Sequence, residues 1–67
     1  MSVAKVTEIS ASSEVSFDDA VKVGISRASK TLKNIRGAWI NEMTVDVKHG
    51  DVVGYRVNMK VTFVLDD

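Results

Sequence analysis

Few residues of this 67-residue chain belong to types that do chemistry, and their spacing narrows the choice further. The one histidine, His49, stands beside Gly50 in what reads as a turn, where a solvated imidazole is the plainer reading than a general base. Serines and threonines are plentiful, yet none has a histidine or lysine at motif spacing, so no activated nucleophile can be assembled. The four glycines stand isolated, which leaves no phosphate-cradling loop. With no cysteine, disulfides and thiolate zinc sites drop out together. Enzymatic activity is not expected.

Three features remain. Trp39 offers a flat aromatic face on which a ring can stack, or else a large apolar body for an interface. Arg56 suits a polar ring edge or an anionic phosphate, and equally a pairing with Glu42. Glu42 and Asp46, on the polar face of a hairpin, present carboxylate oxygens to calcium; since calcium wants six to eight oxygens, the same pair also reads as ordinary surface charge. Asp66 and Asp67 make a similar but weaker case.

The totals bound what can hold these residues. Nine basic and nine acidic residues cancel, whereas a nucleic-acid binder carries a basic excess to neutralise phosphates. Met1 to Lys5 show no apolar stretch of signal-peptide length and no run approaches a membrane span, so a soluble, cytoplasmic protein is expected. There is no proline, no low-complexity segment and no internal repeat. One domain over 1–67 is expected, and a domain of this size buries only about 60% of its unfolded surface. Without disulfides or a metal, association with further copies is the remaining way to stabilise it.

The elements follow from periodicity. Val3 to about Ser10 mixes β-branched and polar residues and reads as a strand. After a polar connection from Ala11 to Glu14, Ser16 is a good helix N-cap, with Asp19 three residues on. Phe17, Ala20, Val21, Gly24, Ile25, Ala28, Leu32 and Ile35 form one helical stripe, which Gly37 is expected to end. Gly24 costs roughly 1 kcal/mol of helix propensity, so its place on the stripe points to close approach against a sheet. Ala38 to Val47 and Val52 to Leu65 read as two further strands, the last apolar at every odd position from Val53 to Leu65. The expected fold is α+β, in the order β-α-β-β, a three-stranded antiparallel sheet packed on one amphipathic helix.

Matching the odd faces of the last two strands rejects a two-residue His49-Gly50 turn and favours a Lys48-His49-Gly50 loop with Gly50 left-handed. In that register Val45 faces Val53, Met43 faces Tyr55, Trp39 faces Met59 and Glu42 meets Arg56. A helix of about 18 residues is roughly 27 Å long. A strand of about 14 residues reaches roughly 46 Å. The helix cannot cover the whole dry face, and the bare part, with Trp39, Val61, Phe63 and Leu65, calls for another subunit.

The strand, capped helix and long hairpin together resemble the dodecin family over nearly the whole chain. The resemblance is carried by Lys5-Val6 and Glu8-Ile9, the connection Ser12-Ser13, the helix opening Ser16 to Ala20, Arg27-Ala28 with Lys30 to Leu32, and Tyr55 to Phe63. It implies a hollow homododecamer that binds, stores or sequesters a small ligand without turnover. The family default is a flavin, riboflavin or FMN, held at subunit interfaces between a tryptophan just after the helix and a glutamine after the aromatic residue of the last strand. The tryptophan position falls here on Gly37 and the glutamine position on Arg56, with Trp39 two residues, about 7 Å, further along. Arginine can donate to a ring carbonyl but cannot accept from the ring N–H. These departures are similar to a second branch of the family with calcium-binding members, which keeps a flavin-free, ion-steadied assembly open as the alternative.

Overall fold

A computed structural model describes residues 3–65. Its elements run β1 (Ala4–Ser13), α1 (Phe17–Ala28), β2 (Ile35–Lys48) and β3 (Asp51–Val64). The strands form one antiparallel sheet in the order β1-β3-β2, so the alternating strand lies in the middle. Asp66 and Asp67 lie outside the described residues.

The helix starts where its cap requires and stops earlier than its apolar stripe implies. Ser16 is extended, and its hydroxyl accepts the Asp19 amide at 3.0 Å, satisfying one of the free N–H groups of the first turn. Ser13 donates its hydroxyl to the Asp19 carboxylate, which ties the end of β1 to the start of α1. At the other end the winding tightens. Lys30 and Thr31 donate to the carbonyls of Arg27 and Ala28, three residues back, at 3.2 and 3.1 Å. Asn34 then supplies the left-handed residue, φ 63°, and Ile35 already belongs to β2. Asparagine tolerates that conformation, so Gly37 is not needed as the stop and lies within the strand. α1 is therefore 12 residues, not about 18, and β1 continues through the segment read as a connection.

The dry face of β3 meets the helix. Val57, Met59 and Val61 are fully buried, together with Ala20, and Ile9, Ala11, Phe17, Val21, Ile25 and Ile35 close around them. Phe17 stands edge-on to Tyr55 at 5.1 Å, a favourable aromatic geometry. The close approach expected at Gly24 is present: a methyl group there would meet Ala11 Cβ at 2.9 Å and the terminal carbon of Met59 closer still. Met59 can give way only slightly, being fully buried, and Ala11 is fixed in a strand. Gly24→Ala gains about 1 kcal/mol of helix propensity but overpacks a tight contact, at a cost of about 1–3 kcal/mol. Urea titration is expected to show net destabilisation; a more stable variant would mean that α1 does not sit this close to the sheet.

The hairpin departs from the expected register. His49 and Gly50 are both left-handed, φ 52° and 81°, and form a two-residue turn between Lys48 and Asp51. Three bulges accommodate it, with Val53, Asn41 and Arg36 as the extra residues. Val45 therefore pairs with Tyr55, Met43 with Val57, Glu42 with Asn58 and Trp39 with Lys60. Because the bulge at Asn41 reverses the alternation, Ile40 shares the helix side with Met59, and Trp39 turns to the opposite face.

The uncovered apolar surface also differs from the expectation. Trp39 and Leu65 are exposed as expected, but Trp39 stands on the other face, Val61 is fully buried, and further bare apolar residues lie along β2. α1 packs on β1 and β3, leaving β2 exposed from Arg36 to Lys48. Ile40, Met43, Val45 and Val47 all stand exposed along this edge strand, Met43 by 55% and Val47 by 61%.

Candidate functional site

The register places Gly37, Trp39, Glu42, Asp46 and Arg56, spread along its length, on the face of the sheet that carries no helix. In an antiparallel pair, residues opposite each other point to the same side. Asp46 opposite Gly54, Thr44 opposite Arg56, Glu42 opposite Asn58, Trp39 opposite Lys60 and Gly37 opposite Thr62 thus form successive rows. β1 completes four of them with Ser12, Ser10, Glu8 and Val6. The face is polar apart from a few positions, and Trp39, 60% exposed, is its largest apolar side chain.

Trp39 lines a shallow groove of about 360 Å³ with Arg36, Gly37, Ala38 and Thr62. Gly37 opens that groove, since a Cβ added there meets no atom within 4 Å. A flat ring can lie across this bare backbone against the indole. Arg36, Lys60 and Thr62 escaped the reading of the sequence because the bulges that bring them beside Trp39 were not recognised. A signal was present: Ile40-Asn41 reverses the apolar-polar order of the strand.

Arg56 is held elsewhere. Its guanidinium donates to Asp46 Oδ2 at 3.2 Å, and Glu42, its expected partner, lies one pair along the ladder opposite Asn58. Asn41 occupies Asn58 as well, donating its amide to Asn58 Oδ1 at 3.0 Å. Both members of the Arg56–Asp46 pair are about half exposed, so a double-mutant cycle should give a coupling of about 0.2–1 kcal/mol. Arg56 and Glu42 should show almost none; a larger value for that pair would restore the register expected from the sequence.

Glu42 and Asp46 share the face but are four residues apart along β2, about 14 Å. Calcium binds its oxygens at about 2.3–2.6 Å, so the two cannot hold one ion between them. No group of three or more His, Cys, Asp or Glu converges among the described residues. His49 sits at the hairpin tip, and Ser13 and Ser16 are engaged in the helix cap. No helix among the described residues is long and apolar enough to cross a membrane.

The family model for Dodecin matches residues 3–66. The chain belongs to the dodecin family. Among solved structures, it is similar to the dodecin from Streptomyces davaonensis, with 35% identity, a TM-score of 0.94, and coverage of 98% of this chain and 97% of that one. The tt0972 protein from Thermus thermophilus gives 27% identity and a TM-score of 0.94, over 100% of this chain and 98% of that one. A calcium-chelating antigen of Mycobacterium tuberculosis, calcium dodecin, gives 29% identity and a TM-score of 0.82, over 96% and 91%. No curated protein matches the sequence. These likenesses agree with the β-α-β-β order and the antiparallel sheet of this dodecin.

Proposed function

We propose that this dodecin assembles with copies of itself into a closed shell near twelve subunits and there sequesters a small planar ligand without chemical turnover. The ligand class is the flavins, riboflavin or FMN, with Trp39 as a stacking platform displaced from the position held by Gly37. The observation that carries this reading is the exposed indole of Trp39 on the polar face, beside the open backbone of Gly37. Burial in the core would explain a tryptophan on the helix side; on this side the fold gives it no partner. Assembly is supported by the bare apolar row on β2, which one helix leaves uncovered.

The calcium reading is weaker. Glu42 and Asp46 are too far apart to act together, so an ion would need carboxylates from several copies, and Asp46 is already paired with Arg56.

Trp39→Ala tests the platform. Ring stacking is worth roughly 1–3 kcal/mol, so riboflavin affinity should fall by about 5- to 150-fold, while light scattering shows an unchanged particle. Undiminished flavin binding by Trp39→Ala would place the pocket elsewhere. A particle that falls apart would make Trp39 an interface residue.

A further inference from the structure

Among the described residues, two apolar surfaces on the helix side are left bare, and they lie at opposite edges of the sheet. One is the row Ile40, Met43, Val45 and Val47 on β2. The other is a groove of about 540 Å³ between α1 and the edge strand β1, with an apolar lining of Ile9, Ala11, Val23, Gly24, Ala28 and Leu32. Ile9 and Ala11 pair with Met59 and Val57, so the groove opens on the same side of the sheet as the row. Val23 is about half exposed and stands apart from the helix residues that close the core, so the subunit itself makes no use of this apolar side chain. The subunit is also far from compact. A tightly packed domain of 67 residues has a radius of gyration of about 11 Å, whereas this chain has 13.8 Å and measures 51 × 19 × 13 Å. It exposes 4987 Å², where a compact chain of 7.3 kDa exposes about 4,200 Å². The surplus, roughly 800 Å², matches what one partner contributes to a standard protein interface.

We infer that the groove between α1 and β1 receives the β2 row of a second copy, so that each subunit gives its row to one neighbour and takes the row of another. The inference rests on the assembly proposed above and adds the contact that builds it. Rows meeting face to face would leave both grooves open, and groove against groove would leave both rows bare. Only row on groove covers the two surfaces with one kind of contact. The lengths agree: the groove runs along β1 from Thr7 to Ser12, roughly 17 Å, and alternate side chains of a strand repeat about every 7 Å, so about three of the row can seat in it. A contact between unlike surfaces repeats head to tail, and it ends only when the copies close into a ring.

The chain has no cysteine, so introduced ones report this contact cleanly. Val23→Cys marks the groove and Val45→Cys the row; both positions are exposed in the single chain, and cysteine is itself a small apolar residue. After treatment with a short bismaleimide, the variant carrying both changes should run on a denaturing gel as a ladder beyond the dimer. Each single variant should stay at the mass of one chain. Val23→Asp, in an otherwise wild-type chain, should break the particle into small species by light scattering with circular dichroism unchanged, and this result stands even where the cysteines disturb assembly. Dimers from either single cysteine variant would show like surface meeting like and overturn the inference. So would a double variant that keeps its particle but forms no ladder, or a Val23→Asp particle of unchanged size; either would leave the assembly standing with a different contact. A wild type that scatters as a single chain would overturn both.

Discussion

At micromolar concentration the protein should scatter light as a particle of about twelve subunits, and Val45→Asp should reduce it to small species. The reason lies in β2. Ile40, Met43, Val45 and Val47 line the side of the sheet that α1 occupies, yet α1 packs chiefly on β1 and β3. All four are about half exposed or more, and covering them offers on the order of 1 kcal/mol each, since full burial of such a side chain is worth about 1.5–3 kcal/mol. Multiplied over the contacts of a closed shell, that gain is large compared with the small core of five buried apolar residues among the described residues of one subunit. Val45 pairs with Tyr55 near the middle of the bare stretch. A carboxylate there would be taken out of water at each subunit contact without a partner, a penalty of several kcal/mol per ion. Because Val45 is exposed in the single chain, the substitution spares the subunit's own core, and circular dichroism should still report helix and strand. A wild-type chain that stays folded at 7.3 kDa would sink the assembly. So would a Val45→Asp particle of unchanged size, because the bare row would then not be the contact.

The parts of this fold that were legible in the sequence are those fixed by local rules. The Ser16 cap, the stripe from Phe17 to Ala28, the close approach at Gly24 and the odd-numbered face of β3 follow from periodicity and backbone chemistry, and the structure has them. Two kinds of feature were not legible. The first is the end of the helix: Leu32 and Ile35 continue the apolar period after the backbone has left it, because Ile35 reaches the same core from a strand. The second is the hairpin register. Face matching assumes unbroken alternation, and three bulges each displace one residue, so a rule that holds within each stretch fails across them. Those shifts place Lys60 beside Trp39 and hand Arg56 to Asp46 rather than Glu42. The candidate site was therefore read as a set of residues before it could be read as an arrangement.

Gly37→Trp combined with Arg56→Gln should tighten riboflavin binding by about 5- to 150-fold over the wild type, corresponding to one stacked ring at roughly 1–3 kcal/mol. The backbone accepts the first change: Gly37 lies in β2 without a left-handed φ, a Cβ meets nothing within 4 Å, and an aromatic residue favours a strand. The new indole points to the same face as Trp39, about 7 Å along the strand, in the row of Thr62. The second change exchanges a donor-only guanidinium for an amide that can both donate and accept at a ring edge. It also releases Asp46, at a cost of about 0.2–1 kcal/mol for so exposed a pair. That loss is smaller than the stacking gain, so the sum favours binding. The single variants separate the contributions: Gly37→Trp should deliver most of the gain, and Arg56→Gln alone little. Riboflavin is the right probe because it carries no phosphate whose charge would enter the comparison. Submicromolar riboflavin binding by the wild type, with no gain from Gly37→Trp, would show that Trp39 alone supplies all the stacking this face offers. No binding by either protein would remove flavins from this face of the sheet.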